Sequence, residues 1–542
     1  MIVLALATGA VLSLSVEGRA FAQEAAGRKA SPPRDCSLAR DIALLNGKIM
    51  TMAEPAQVSA VVIRDGRIVH LGRGGEKEYT ACTQVFDLQG RTAVPGLIDA
   101  HIHFVTWGYR PGHDVRLDLA NSMDALLRSL HARAVALAAG EWVTAVGGWA
   151  RTQLIENRLP TLAELDQAAP ANPVFLWERE GLTAVTNTSG RAFFDSKGIA
   201  VNPDGTISAD KTTDVAYYEL AQRTTNPKRG FADAMAHIAK LGLTTVADGA
   251  VNASPGGRSP ERSWHSGHVD LYTAYDPLLK LEREGKLTVR VRVNFSDNRN
   301  EPSNRQHILN FQFPLFGSDT FKTLCMGEFI APVRTEYEAA AFEVAKRGWC
   351  HEQHTEGLAD IRNFLDTWEK VNATYPIQDL HWRLAHVATM DGAALDRIKK
   401  LGAGVNVSAT GWSRDVDVPY RTIVRSGVPV AGISDGPNYM PINPWIHISM
   451  MVTGKNSLGR AAHPDETISR ADALRLYTAN TAWFLREEDL GSIKTGSLGD
   501  VVVLDRDYFT VAEDEIKSVS AVLTIMGGRV VHDAGAIRKL KQ

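Results

Sequence analysis

Excess charge of either sign is missing from this chain of 542 residues: 59 Lys and Arg stand against 62 Asp and Glu, a formal net charge of −3. Neutralising a phosphate backbone needs a basic field, so a nucleic-acid binder is excluded and small molecules are the expected partners. Long apolar runs are also lacking. The run Ile2 to Val16 is too short to cross a bilayer comfortably, and no membrane span is expected. Cysteines number only four, too few for a disulfide scaffold, and no internal repeat or low-complexity stretch stands out. The basic tail Arg538-Lys539-Leu540-Lys541-Gln542 reads as solvated surface.

What is present is ordinary globular composition, 44% hydrophobic and 22% charged, on a chain long enough for a barrel with a satellite domain. The apolar start is followed by Ala20-Phe21-Ala22, a small-x-small cleavage pattern, so residues 1–22 are expected to be a signal peptide and the mature protein periplasmic or secreted. One departure is that no Lys or Arg precedes Arg19. Export would permit Cys36 and Cys82 to pair, whereas Cys325 and Cys350, inside apolar strands, are expected to be buried thiols.

After the linker Ser31-Pro32-Pro33, strand and turn signals predict hairpins over Ile42 to Met52, around Asn46-Gly47, and over Val58 to Leu71, around Asp65-Gly66. Strand-like pieces recur near the far end, at 499–504 and 522–530. Residues 35–93 and 488–537 are therefore expected to make one small β-sandwich. Between them, apolar strands alternate with amphipathic helices. Eight candidates can be counted: 97–103, 244–248, 289–295, 321–326, 349–354, 383–387, 404–408 and 430–435. That is the complement of a closed (β/α)8 TIM-like barrel, over 94–104 and 232–487, with 105–231 as a long insertion covering the active site.

The chemistry centres on Val94-Pro95-Gly96-Leu97-Ile98-Asp99-Ala100-His101-Ile102-His103-Phe104. Residues two apart share a strand face, so Asp99, His101 and His103 stand together. A bare His-x-His is as often a hydrogen-bonded core pair as a metal site. Here further ligand-type residues close other strands: His354 on the fifth, with His351 on its opposite face, His386 on the sixth and Asp435 on the eighth. Lys322 lies inside the fourth strand, where an unpaired cation is costly to bury.

The first-strand motif resembles that of the amidohydrolase superfamily, in the branch of N-substituted formamide deformylases and YtcJ-like hydrolases, and the resemblance runs from about Asp41 to about Val531. It implies two zinc ions (Zn2+) held by His101, His103, Lys322, His354, His386 and Asp435, with Lys322 carboxylated as the bridge. Cys325 is its rival, and a single-metal site is the competing arrangement. The implied reaction is hydrolysis of an amide or N-acyl C–N bond by metal-activated hydroxide, with Asp435 moving the proton.

This chain departs from the family pattern at Thr355-Glu356-Gly357, Ala385, Gly181-Leu182 and Gly327-Glu328, so the substrate does not transfer. Candidates for contacting substrate are Trp107, Tyr109, Trp149, Arg151, Arg334 and Trp412. Two alternatives stay open: a mononuclear deaminase-like or ester-cleaving enzyme, and a secreted binding protein without catalysis. Homo-oligomerisation is open as well.

Overall fold

The computed structural model describes residues 36–542, apart from 111–113, 180–181, 210, 250–268, 271–272, 296–301, 330–333, 415, 438 and 541–542. The expected signal peptide falls outside the described residues. Cys36–Leu38 is a short 3-10 turn, exposed throughout. The remainder, from Ala39, is one compact unit.

Eight parallel strands form the central sheet, each hydrogen-bonded to the next in chain order. They are Leu97–Ile102, Leu243–Asp248, Arg290–Phe295, Phe321–Phe329, Cys350–Gln353, Arg383–Leu384, Gly404–Val407 and Val430–Gly432. The first and last meet at their C-terminal ends, where the Asp435 N–H donates to the His101 carbonyl (2.9 Å) and the His103 N–H to that of Gly436 (2.8 Å). These bonds close the rim and fix Asp435 beside the two histidines. The eight expected strands are all present. Their ends shift by a few residues, and the fourth runs on from Met326 to Phe329.

The connecting helices follow the local chemistry. Pro227–Leu241 starts at an Asn226 cap that accepts the Arg229 N–H, carries Pro at its first position and stops at Gly242 in the left-handed region. Its apolar face, Phe231, Ala234, Met235 and Ile238, is buried against the barrel wall. Full burial of such side chains contributes about 1.5–3 kcal/mol each for the larger ones.

Two further sheets make the sandwich, and their shared core contains Ile42, Ile49, Ile63, Phe86, Val501 and Leu523. The hairpin around Asp65-Gly66 forms as expected. The one around Asn46-Gly47 does not. Ile42–Leu45 pairs with Ala60–Arg64 and Gln84–Asp87 in one sheet, while Lys48–Met50 pairs with Gln57–Val58 and Thr92–Pro95 in the other. The turn signal is genuine, since Asn46 has φ 55°, but the chain uses it to change layers. The insertion builds its own four-stranded sheet from Val143–Val146, Val174–Trp177, Ala184–Thr186 and Thr206–Ile207. Among the described residues no helix is long and apolar enough to cross a membrane.

The cysteine expectation needs correction. Cys325 and Cys350 are joined as a disulfide, with Cα atoms 4.8 Å apart. They are register partners on the adjacent fourth and fifth strands. Alternation within each strand says nothing about cross-strand register, which is what brings the two sulfurs together.

Candidate metal centre

At the end of the first strand the rings of His101 and His103 sit 5.3 Å apart, edge to face. His101 Nδ1 lies 2.5 Å from Glu352 Oε1. A carboxylate can only accept, so Nδ1 carries the proton and Nε2 is left with its lone pair. That Nε2 is buried and has no hydrogen-bond partner among the described residues. The Asp435 Oδ1 oxygen lies 3.5 Å from it and 3.3 Å from His103 Nε2. Beneath, Asp99 Oδ1 accepts the His101 and Ser434 N–H groups, tying the first strand to the eighth. Burial pushes the Asp99 carboxyl up to about 6.

Across the rim stands Glu328. Its Oε1 lies 2.5 Å from His354 Nδ1 and 2.7 Å from His386 Nε2, and its Oε2 lies 3.9 Å from His101 Nε2. The nitrogens of His354 and His386 are themselves 2.9 Å apart. Burial alone would raise the carboxyls of Glu328 and Asp435, but the surrounding imidazoles outweigh it and hold both below the usual carboxylate range. Glu328 follows Gly327, whose φ is 136° and where a Cβ would come 2.4 Å from the Glu352 carbonyl oxygen. Only glycine fits there.

Two overlapping donor sets result: His101, His103 and Glu328, and Glu328, His354 and His386, with the ligand atoms of each within 4.8 Å of one another. Nitrogen lone pairs converging on shared carboxylate oxygens, with one nitrogen buried and unpartnered, fit divalent cations. Gly249 packs on the same ring: a Cβ there would lie 2.7, 2.8 and 3.1 Å from Nε2, Cε1 and Cδ2 of His101, pressed against the ring face.

The position between the two histidine pairs therefore belongs to Glu328, and the expectation for Lys322 is corrected. Lys322 is the second residue of the fourth strand, six residues before Glu328 and roughly 20 Å away at a strand's rise. Its Nζ donates to Glu487 (3.2 Å), a carboxylate shared with Arg292 at the opposite end of the barrel. Cys325, the rival, is in the disulfide. His351 faces outward, its Nε2 3.1 Å from the Tyr337 hydroxyl.

The residues expected to contact substrate are distributed differently. Trp107 and Trp149 are buried, the first against His237 and Arg116, the second donating to the Trp177 carbonyl. Trp412 packs in a small core with Met440, Ile446 and Met450. Tyr109 donates to the Thr273 carbonyl, and Arg151 grips the buried Glu178 through Nε at 3.1 and 3.0 Å. Arg334 begins the helix Arg334–Lys346, and its side chain lies outside the described part.

Sequence reading missed Glu328, Glu352 and Gly249. A carboxylate two residues beyond the fourth strand's expected end was the available signal for Glu328. Glu352 shares the strand face of His354 and was passed over.

An eight-stranded barrel with histidines and carboxylates converging on its C-terminal rim defines a metal-dependent hydrolase. The amidohydrolase family model matches residues 84–532, and the chain belongs to that family. It is 25% identical to the N-substituted formamide deformylase of Arthrobacter pascens, over 90% of this chain and 98% of that protein. Identity to the putative amidohydrolase YtcJ of Bacillus subtilis is 24%, covering 90% and 98% respectively. Among solved structures, an uncharacterised metal-dependent hydrolase from Pyrococcus horikoshii superposes with a TM-score of 0.61 at 21% identity, covering 88% of this chain and 99% of that one. The zinc complex of atrazine chlorohydrolase TrzN from Arthrobacter aurescens gives 0.51 at 14%, covering 91% and 95%.

Proposed function

We propose that this protein is an exported, binuclear zinc amidohydrolase that cleaves an amide or N-acyl bond of a small molecule. The observation that carries the reading is Glu328, one carboxylate shared by two histidine pairs. His101, His103 and Asp435 with Glu328 would hold one ion, and His354 and His386 with Glu328 the other. Imidazole and carboxylate donors suit zinc. Two such ions supply a polarised substrate carbonyl and a water acidic enough to ionise near neutral pH.

The chain's own groups do the rest. Glu352 holds His101 in one tautomer, and Asp99 secures the backbone beneath. Asp435, ionised and facing both first-strand histidines, accepts the proton released as water adds to the carbonyl and delivers it to the departing nitrogen. That delivery matters because an amide anion is a very poor leaving group. A bridging glutamate makes a carboxylated lysine unnecessary, so the binuclear reading no longer depends on Lys322.

Export is supported by the apolar start with its Ala20-Phe21-Ala22 pattern and by the Cys325–Cys350 disulfide, a bond that oxidising compartments maintain. The decisive experiment is metal analysis with a hydrolysis panel. The wild type should carry about two zinc ions per chain, and Asp435→Asn should lose at least ~100-fold in kcat while staying folded. Full activity in that variant rejects the proton-carrying role, and one ion per chain rejects the binuclear centre. Cell fractionation with N-terminal sequencing tests export and cleavage after Ala22.

A further inference from the structure

His103 directly follows the first strand and stands at the cap position of the next helix, Phe104–Gly108. A cap residue ordinarily turns its side chain back to accept one of the helix's first N–H groups, which have no partner within the helix. His103 makes no such bond. Its imidazole is turned to the centre instead, with Nε2 3.3 Å from Asp435 Oδ1. The helix is buried over its whole length, so its leading N–H groups need an acceptor from elsewhere in the chain.

The second strand supplies it. Asp248, the register partner of Ile102 and fully buried, accepts the Val105 N–H at Oδ1 (2.9 Å). Its Oδ2 accepts the Tyr275 hydroxyl (2.7 Å), which fixes the orientation of the carboxylate. At the other end of the helix Tyr109 donates to the Thr273 carbonyl (3.1 Å), so both ends are tied to the segment that carries Tyr275. The residue after Asp248 completes the join: Gly249 donates its N–H to the Ile102 carbonyl (2.6 Å) and packs on the His101 ring. The turn that aims His103 is thus held from the eighth strand by the Gly436 carbonyl and from the second by one carboxylate. Asp248 belongs to neither donor set.

We propose that Asp248 is a positioning residue for metal binding: it caps, from a neighbouring strand, the helix that His103 cannot cap while serving as a ligand, and so directs His103 toward the first ion. This rests on the reading above in taking His101, His103, Asp435 and Glu328 as the ligands of one ion.

The test is a double-mutant cycle read by zinc affinity against a competing chelator. Asp248→Ala should weaken zinc binding about 10–100-fold. In a His354→Ala background the loss should persist. In a His103→Ala background it should shrink below about 2-fold, because the residue that Asp248 acts through is gone. Asp248→Asn keeps an acceptor for Val105 and should recover most of the affinity. Tyr275→Phe removes one of the bonds that orient the carboxylate and should cost about 3–10-fold, which carries the test if Asp248→Ala does not fold. Circular dichroism establishes folding. Unchanged affinity in Asp248→Ala and Tyr275→Phe, or a loss of the same size with and without His103, overturns the proposal, since a cap that serves only the fold is indifferent to that ligand. The expected zinc pattern in a protein that turns over no amide or ester rejects the proposed activity and leaves Asp248 in its role. A wild type that binds no zinc overturns both.

Discussion

Nδ1 of His101 lies 2.5 Å from Oε1 of Glu352, and both side chains are fully enclosed in the barrel. Oε1 also accepts from Asn294 Nδ2 (3.2 Å), while Oε2 accepts from Arg383 Nε (2.5 Å) and Asn406 Nδ2 (3.3 Å). Burial would raise the Glu352 carboxyl, but Arg383 and His101 bring it down to about 2. Glu352→Gln should therefore weaken zinc binding about 10–100-fold by loosening the His101 tautomer. Glu352→Ala should also cost about 3–5 kcal/mol, because Arg383 is left as a buried unpaired cation. Chelator competition and urea denaturation read the two effects separately. Unchanged zinc affinity in Glu352→Gln would remove its positioning role.

Gly249→Ala places a methyl group 2.7 Å from His101 Nε2. Zinc content should fall well below that of the wild type, with the far-ultraviolet circular dichroism spectrum preserved. Full zinc occupancy in this variant would mean that the His101 ring accommodates the methyl group without leaving its ligating position.

Glu328 and Lys322 separate two accounts of the bridge. Glu328→Ala should lose most bound metal. Lys322→Met should keep it and lose only about 1 kcal/mol, since Glu487 retains Arg292 as a partner. Metal analysis giving the reverse order would restore the lysine.

Acid sensitivity should come partly from buried neutral histidines outside the centre. His447 accepts the Ala409 N–H at Nδ1 and donates to the Pro441 carbonyl through Nε2, and burial lowers its pKa to about 4. Burial also lowers His351 to about 3. Each folded value lies below the unfolded value of about 6.5, so between those limits the unfolded chain binds the extra proton. This contribution to stability is present above pH 6.5 and is lost as the pH falls, at up to about 1.4 kcal/mol per unit for each histidine. Urea titrations from pH 7 to 5 should show a shallower slope in His447→Asn. An identical slope would contradict the assignment.

The resemblance and the strand alternation together made much of this legible. Strict apolar runs separated by amphipathic helices identified all eight barrel strands, and placing His354 inward with His351 outward matches the observed faces. What misled was distance along the chain. Lys322 is an inward cation on the right strand, but its partner Glu487 lies 165 residues away in sequence, where no local pattern reveals it.

The sequence by itself determined the element types, the barrel and the strand-end histidines, because side-chain periodicity is a local property of the backbone. Tertiary structure alone decided that Glu328 stands between the histidine pairs, that Cys325 meets Cys350, and that the chain changes sheets at Asn46. Each depends on register or ring closure, which are set by contacts between residues far apart in the chain.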